Sequence, residues 1–489
     1  MVSGIHEHPS ESIAEIELLV RHGVLITMDR AFSIIDDGAI AIDHGRIVAV
    51  GRDSELAASF RADTVIDAGG APVHPGLIEG HLHCSYQLFR GALADQLEEE
   101  DAWREFESHF YRHVDDEDEH ASALIASIEM IRNGTTAFIE PGTVLEPESA
   151  AAAAETVGIR AVLADSFIWD QPAHLAMGKS TDQERNAAPI PRVASDRASV
   201  RNRLGKALRR ESASGLVTGH VAVLGLGTAS TELMVEAKRI ANAGNAILNF
   251  HQSYSPADTA RDQERLGADP IEALMRLGVV DDRTTMAHVN HLTRREFDAI
   301  IQSGATAVWA PAASMMWGHG SCLDGPHAEL YRKGASIALG SDSPNWSNSL
   351  NLFRQANLAI LTTREARRDR TALVAEDGLR MATTCGAKAL GMTDAIGSIE
   401  LGKRADIVVH SLERSELLPL TDPVRNLVYS SGSSSVDTVI VEGKIVLRHG
   451  EFVAIDEKQL LLDASARSGP LLQRMGVRLE PNRFNGRRL

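Results

Sequence analysis

The sequence predicts an α/β fold: a (β/α)8 TIM barrel carrying a small β-sandwich domain formed by the N- and C-terminal segments. Two observations predict it. The middle of the chain alternates eight apolar strand-like runs with helical patterns, the signature of βαβ units. The two ends read instead as short strands punctuated by turns, and neither is large enough to bury a core alone. Pairing them into one sandwich, with the middle inserted, solves that problem. The expected division is residues 1–70 and 397–489 for the sandwich, the latter with a tail, and 71–396 for the barrel.

In the first segment the strand candidates are Leu18–Thr27, Gly38–Asp43, Arg46–Val50 and Thr64–Asp67, with turn chemistry at Asp43-His44-Gly45. In the last they are Ile407–His410, Thr438–Val441 and Lys444–Leu447, with Glu442-Gly443 as the turn. The eight middle strands are expected at Gly76–His83, Thr135–Glu140, Arg160–Asp165, Val217–Leu224, Ala246–His251, Thr284–His288, Ala305–Ala310 and Ser336–Asp342. Helices are expected between them at His120–Arg132, Pro147–Val157, Ser199–Glu211, Thr231–Ala243, Ile271–Leu277, Arg294–Ser303 and Ala328–Lys333. Asp170 to Ser195 reads as a long loop beside the site, a candidate lid.

Composition narrows the function. A formal net charge of −18 argues against nucleic acid, because phosphate binding needs clustered Lys and Arg. The acidic runs Glu98–Asp101 and Asp115–Glu119 fit solvated loops or first turns of helices, where carboxylates suit the dipole. Three scattered cysteines offer neither a disulfide framework nor a CxxC site, and Cys84 reads as a small buried hydrophobe rather than a ligand or nucleophile. No stretch approaches about 18 consecutive apolar residues and no signal segment opens the chain, so a cytoplasmic protein with no membrane partner is expected. Gly225-Leu226-Gly227 lacks the third glycine of a dinucleotide loop, no GxSxG elbow is present, and the PCxxC ligand motif of cytidine-type zinc deaminases is absent.

The most informative motif is His81-Leu82-His83. Two histidines at i and i+2 of a strand share a face, so both imidazoles can reach one divalent metal at a barrel mouth. The spacing alone is weak, since His6-Glu7-His8 repeats it in a polar tail. The other strand ends strengthen it: His251 on strand five, His288 on strand six and Asp342 on strand eight all fall where barrel strands converge. His109, His113, His120, His319 and His327 fall in helices or loops; among them His319, between Gly318 and Gly320, is best placed to face substrate.

The chain resembles the amidohydrolase superfamily, and within it the branch of triazine hydrolases and related aminohydrolases. The run from His74 to His83 resembles the family's first-strand motif, and Leu88-Phe89-Arg90-Gly91 what commonly follows it. Glu129 to Thr136 is similar to its second βα unit, and Gly397 to Asp406 resembles its return into the sandwich. The resemblance covers about residues 18 to 453. It implies a metal-dependent hydrolase of a non-peptide C–N bond in a small organic molecule, and a homo-oligomer. It further implies one divalent ion held by His81, His83, His251 and Asp342, with His288 either joining the shell or bonding water and substrate. Binuclear relatives carry a lysine on strand four; none stands at 217–225, so one ion is expected. Zinc suits the set, and Fe2+, Mn2+ or Co2+ would also accept it. In such a site the ion activates water, Asp342 accepts and returns the proton, and His288 steadies developing negative charge. Asp342 as a purely structural ligand is the plainer alternative.

Departures from the family pattern bear on substrate. Ring deaminases of this branch carry His-x-x-Glu after strand five, whereas this chain has His251-Gln252-Ser253-Tyr254. A phenol with a reference pKa near 10 is a poor proton shuttle at neutral pH. Leu224 to Ser230 replaces a Pro-His-Ala-Pro-Tyr-like segment, and Ala312 to Trp317 replaces a more polar one. Met315, Met316 and Trp317 form either an apolar wall of the substrate pocket or plain loop packing. Substrate contacts are expected from Tyr254, His319, Trp317, Met315 and Gln87. These departures favour hydrolysis of an amide, urea, carbamate or ring substituent, with deamination of a purine-, pterin- or triazine-like ring as the alternative. A non-catalytic homologue is the remote third reading, since the full ligand set is retained.

Overall fold

The computed structural model describes residues 13–92, 100–171, 192–193, 196–210, 212 and 214–477, with the side chains of 100–105 outside that description. The decoy His6 and His8, the run from Glu98 onward in part, and the candidate lid beyond 171 (apart from 192–193) lie outside the described residues.

Five strands open the chain: β1 (Ala14–Ile26), β2 (Ile34–Asp43), β3 (Arg46–Arg52), β4 (Phe60–Asp67) and β5 (Pro72–Pro75). The parallel set follows: β6 (Leu77–Glu79), β7 (Thr135–Ile139), β8 (Arg160–Leu163), β9 (Val217–Gly219), β10 (Val221–Gly225), β11 (Leu248–Gln252), β12 (Thr284–His288), β13 (Thr306–Trp309) and β14 (Ser336–Leu339). Four more close the chain: β15 (Ile407–His410), β16 (Val436–Val441), β17 (Lys444–Arg448) and β18 (Glu451–Phe452).

The two terminal segments join. β5 pairs β1 on one side and β15 on the other, so nine strands run as one continuous sheet, β18-β17-β16-β15-β5-β1-β2-β3, with β4 alongside β1. Leu18, Val20, Ile40 and Ile66 from the first segment share a core with Ile407, Val409 and Ile440 from the last. Both sharp turns have the expected chemistry: His44-Gly45 and Glu442-Gly443 hold positive φ at both positions (48°, 74°, 53° and 73°), the primed geometry that matches strand twist.

The parallel strands form two ladders, β6-β7-β8-β9 and β10-β11-β12-β13-β14, and only His220 separates β9 from β10. Helices alternate with them, at Pro147–Val157, Thr231–Ala243 and Arg294–Ser303 with the bounds the periodicity gave. The helix expected over Ser199–Glu211 is different: it spans Arg197–Arg203, and a 3-10 turn at Ala207–Arg209 follows. Gly205 at φ +86° breaks it, and Asp165 accepts from Gly205 N and Ala207 N at 2.7 and 2.9 Å.

Several helices carried no signal that periodicity alone picked out. Pro256–Leu266 follows β11 directly, capped by Ser255, whose side chain accepts from Asp258 N, and opened by Pro256 at its first turn. Ser468–Arg474, near the C-terminus, docks onto Asp116–Arg132 rather than onto the sheet: Arg467 donates to Asp115, Glu117 and Asp118, and Ser468 bonds Leu88 O. The acidic run at 115–119 is thus a helix first turn as expected, but Asp118 and Glu119 are buried. No helix among the described residues is long and apolar enough to cross a membrane.

Candidate metal centre

Strand β6 ends at Glu79, earlier than the motif suggests, and His81 and His83 follow it on backbone held by two neighbours. Gly80 N donates to Leu339 O at 2.9 Å, Leu82 N to Ile139 O at 3.1 Å, and Asp342 N to His81 O at 2.9 Å. A Cβ on Gly80 would sit 2.8 Å from Leu339 O, so only glycine lets the segments approach this closely. Asp342 likewise lies beyond the end of β14 rather than on it, at φ +61°, where the extended ladder cannot continue.

These segments converge. His83 Nε2 lies 3.2 Å from His251 Nε2 and 3.4 Å from Asp342 Oδ1, and His81 Nε2 lies 3.6 Å from that same oxygen. His81, His251 and His288 form an overlapping triple whose ligand atoms are within 4.8 Å of one another. Two of these rings are oriented from behind. His251 Nδ1 donates to Leu224 O at 2.6 Å, and His83 Nδ1 donates to Thr143 Oγ1 at 2.8 Å. His288 and Val289 both adopt positive φ, 73° and 54°. For a β-branched residue this is a strained conformation; Val289 N to Gln252 O and His327 Nε2 to His288 O, at 2.9 and 2.6 Å, hold it. His327 was set aside on sequence grounds, yet it is buried, stacks on Trp309 and fixes the backbone of His288.

The donor set fits a divalent ion. Both ring nitrogens of His81 are buried and have no hydrogen-bond partner among the described residues. Leaving such atoms unpaired in an apolar setting costs free energy that coordination would recover. With Nδ1 of His83 and His251 already donating, their Nε2 lone pairs face the centre, the tautomer a ligand needs. Burial pushes His81 and His251 down to about 3 and His83 and His288 well below the ordinary imidazole value, so all four are neutral at physiological pH.

A cavity of about 240 Å³ opens onto this cluster, lined by His83, His251, His288, Asp342, Tyr254 and Trp346, among others. The proposed substrate contacts divide. Tyr254 lines the cavity, 5.6 Å ring to ring from His288. His319 and Trp317 stand one layer back, packed on Tyr254 (4.5 Å) and Trp346 (4.7 Å). Met315 is 37% exposed on the short helix Pro311–Met316 and does not line the cavity. Gln87 does not line it either, because its amide is turned to Glu129 at 3.0 Å, beside Arg90. Cys84 is buried beside His83, and burial pushes its thiol well up, which suits packing rather than nucleophilic work.

Sequence reasoning missed several contributors. Thr143 and Glu140 come from the loop after β7 and carry no motif. Asp258, Arg261, Asp262 and Arg265 face the cavity from Pro256–Leu266, a helix that its Ser-Pro-x-Asp start announces. Asp262 is almost fully buried, and burial raises its carboxyl to about 6.

A model of the amidohydrolase family matches residues 73–446. A 5'-deoxyadenosine deaminase of Methanothermobacter thermautotrophicus is 32% identical over 437 residues, covering 89% of this chain and 95% of the relative. A 5-methylthioadenosine/S-adenosylhomocysteine deaminase of Syntrophus aciditrophicus is 29% identical over 451 residues, covering 91% and 95%. Among solved structures, an adenosine deaminase from Xanthomonas campestris with bound zinc superposes with a TM-score of 0.83 at 25% identity, covering 94% of this chain and 99% of that one. A zinc-bound atrazine chlorohydrolase from Arthrobacter aurescens superposes at 0.77 and 23% identity, covering 92% and 100%.

Proposed function

The chain belongs to the amidohydrolase family, and from that premise we propose that it is a mononuclear metal-dependent hydrolase of a non-peptide C–N bond, acting on an aminated N-heterocycle of the adenosine class. The observation that carries the proposal is the convergence of His81, His83, His251 and Asp342 within 3.2–3.6 Å around unpaired, neutral imidazole nitrogens. The names of the two relatives given above, both deaminases of adenosine derivatives, support the substrate class.

In this reading the four residues hold one divalent ion, zinc by the donor set and by the zinc in the structural neighbours. The ion would supply Lewis-acid polarisation of water and of the attacked carbon's acceptor atom. Asp342, with one oxygen accepting from Ser343 N at 2.8 Å, takes the water's proton and passes it to the departing nitrogen. His288, neutral and buried at the cavity wall, donates a hydrogen bond where negative charge develops. Tyr254 orients the substrate as a hydrogen-bond donor. The aromatic wall around it, with Trp346, excludes water.

We read the parallel strands as a closed (β/α)8 barrel. Gly80 bonding Leu339, and β9 continuing into β10 through His220, support closure into eight strands. Division into a barrel, 71–396, and a small β-sandwich domain from 1–70 and 397–489, its strands joined in one nine-stranded sheet, belongs to the same reading. A cytoplasmic homo-oligomer completes it, which cell fractionation and light scattering check.

Zinc-loaded protein incubated with adenosine and 5'-deoxyadenosine tests the function, with ammonia as the readout and anilides and ureas run in parallel. Ammonia release from the nucleosides is expected. A second reading is favoured by one observation, the phenol of Tyr254 where related deaminases carry a carboxylate. Amine release from the anilides or ureas, with no ammonia from any aminated ring, would select it and overturn the first.

A further inference from the structure

A second cavity, of about 770 Å³, lies at the opposite end of the parallel strands from the metal centre. Ser336, the first residue of β14, lines it, whereas Asp342 stands six residues on at the other end; at about 3.3 Å per extended residue this is roughly 20 Å. Its lining reverses the charge of the protein. Asp and Glu outnumber Lys and Arg 67 to 49 in the whole chain, yet Arg30, Arg332, Arg380 and Lys388 line this cavity with a single carboxylate, Asp377.

None of the four cations has a carboxylate within ion-pair distance among the described residues. Arg380 lies over the ring of Phe32 at 4.7 Å, and Lys388 Nζ donates to Gly304 O at 2.8 Å. Asp377 is already engaged, accepting at 2.8 Å from Val374 N at a helix start. Asp369, outside the lining, accepts from Thr371 and feels the charge of Arg332. Unpaired cations facing one concavity focus a positive potential there. Arginine's planar fork is the group that matches phosphate oxygens two at a time. Arg30 comes from the connection between β1 and β2, and the others come from the parallel region, so a ligand here would touch both parts of the chain.

We propose that this cavity binds a phosphate-bearing small anion at a site separate from the metal centre. The guanidinium groups of Arg30, Arg332 and Arg380 take the phosphate oxygens and Lys388 adds a point charge.

Calorimetric titration of the full-length chain with pyrophosphate, at fixed ionic strength, tests the proposal. Saturable binding of one pyrophosphate per chain is expected, weakened at least 10-fold by Arg332→Gln and further by Arg332→Gln with Arg380→Gln. Arg332 is exposed, so the single variant should melt like the parent when no pyrophosphate is present. A control pair, Arg276→Gln with Arg294→Gln, removes the same charge from exposed helix faces and should leave the affinity unchanged. Absence of saturable heat would overturn the site. So would equal weakening by the control pair, or full competition by sulfate at equal ionic strength, since either marks general counter-ion attraction.

Discussion

His83 Nδ1 donates to Thr143 Oγ1 at 2.8 Å, and that hydroxyl in turn donates to buried Glu140 at 2.6 Å. The carboxylate is itself fixed by Gly142 N and Thr143 N, both at 2.8 Å. A threonine hydroxyl thus stands between His83, a proposed ligand, and the acid behind it. Thr143→Val keeps the shape and breaks the chain of hydrogen bonds. We expect zinc affinity to fall about 10- to 100-fold, the usual effect of removing a group that orients a ligand, and the metal-free protein to melt somewhat lower because buried Glu140 and His83 each lose a partner. Competition with a chromophoric chelator measures it, and unchanged affinity would show that Thr143 does not orient His83.

Asp342→Asn separates proton transfer from binding. The amide can still reach the ion but cannot accept a proton, so kcat should fall by about 10²–10⁴ while KM changes little. If kcat survives within a few-fold, Asp342 is a ligand and nothing more.

Tyr254→Glu restores the carboxylate that related ring deaminases carry. With Tyr254 lining the cavity beside His288, the new acid should raise ammonia release from aminated heterocycles by about 10-fold or more. A loss of all ring turnover in a folded, zinc-loaded variant would mean that the phenol itself is required.

Glu119 makes stability depend on pH. It is buried, accepts from Leu145 N and Glu146 N at 2.6 and 2.9 Å, and burial raises its carboxyl to about 7 from the ordinary 4.5. The folded chain therefore binds this proton more readily than the unfolded chain between about pH 4.5 and 7. Wild-type stability consequently falls as pH rises through that window. At about 1.4 kcal/mol per pH unit, the fall is up to about 3 kcal/mol. Glu119→Gln lacks it, so the variant's unfolding free energy relative to wild type should rise by that amount between pH 4.5 and 8. The buried imidazoles titrate in the other sense, losing stability below pH 6.5, and cancel in the comparison. Denaturant unfolding at several pH values checks this; a flat difference would place the titration elsewhere.

Arg467 anchors the last described helix by donating to Asp118 at 2.8 Å, with Arg474 on the other oxygen. Arg467→Ala leaves a buried carboxylate half paired and should destabilise by about 2 kcal/mol. Asp118→Asn should lose less in the Arg467→Ala background than alone, because the partner has already gone. Additive losses in urea melts would show the pair to be uncoupled.

Much of this molecule is legible in the chain. Helix bounds such as Pro147–Val157 follow from a local pattern with its own caps, and the turns His44-Gly45 and Glu442-Gly443 follow from residues that tolerate positive φ. His81, His83, His251, His288 and Asp342 could be named because each sits at the end of an apolar run, where parallel strands present side chains to one place. Gln87 and Met315 mark the limit. Each lies beside a motif in sequence, but Gln87 turns to Glu129, 42 residues away, and Met315 turns outward at the end of a short helix.

By itself, then, the sequence determined the alternation of strands and helices, the pairing of the chain's two ends and the residue types that gather at the candidate metal centre. The first and last depend on periodicity and spacing, which act over a few residues, and the pairing follows because neither end can bury a core alone. Only the tertiary structure decided that Thr143 and Glu140 stand behind His83, that Pro256–Leu266 brings two acids and two arginines to the cavity, and that four cations face one hollow at the far end of the strands. Those juxtapositions join segments tens to hundreds of residues apart. They are fixed by packing and hydrogen bonding across the fold, for which no local pattern carries a trace.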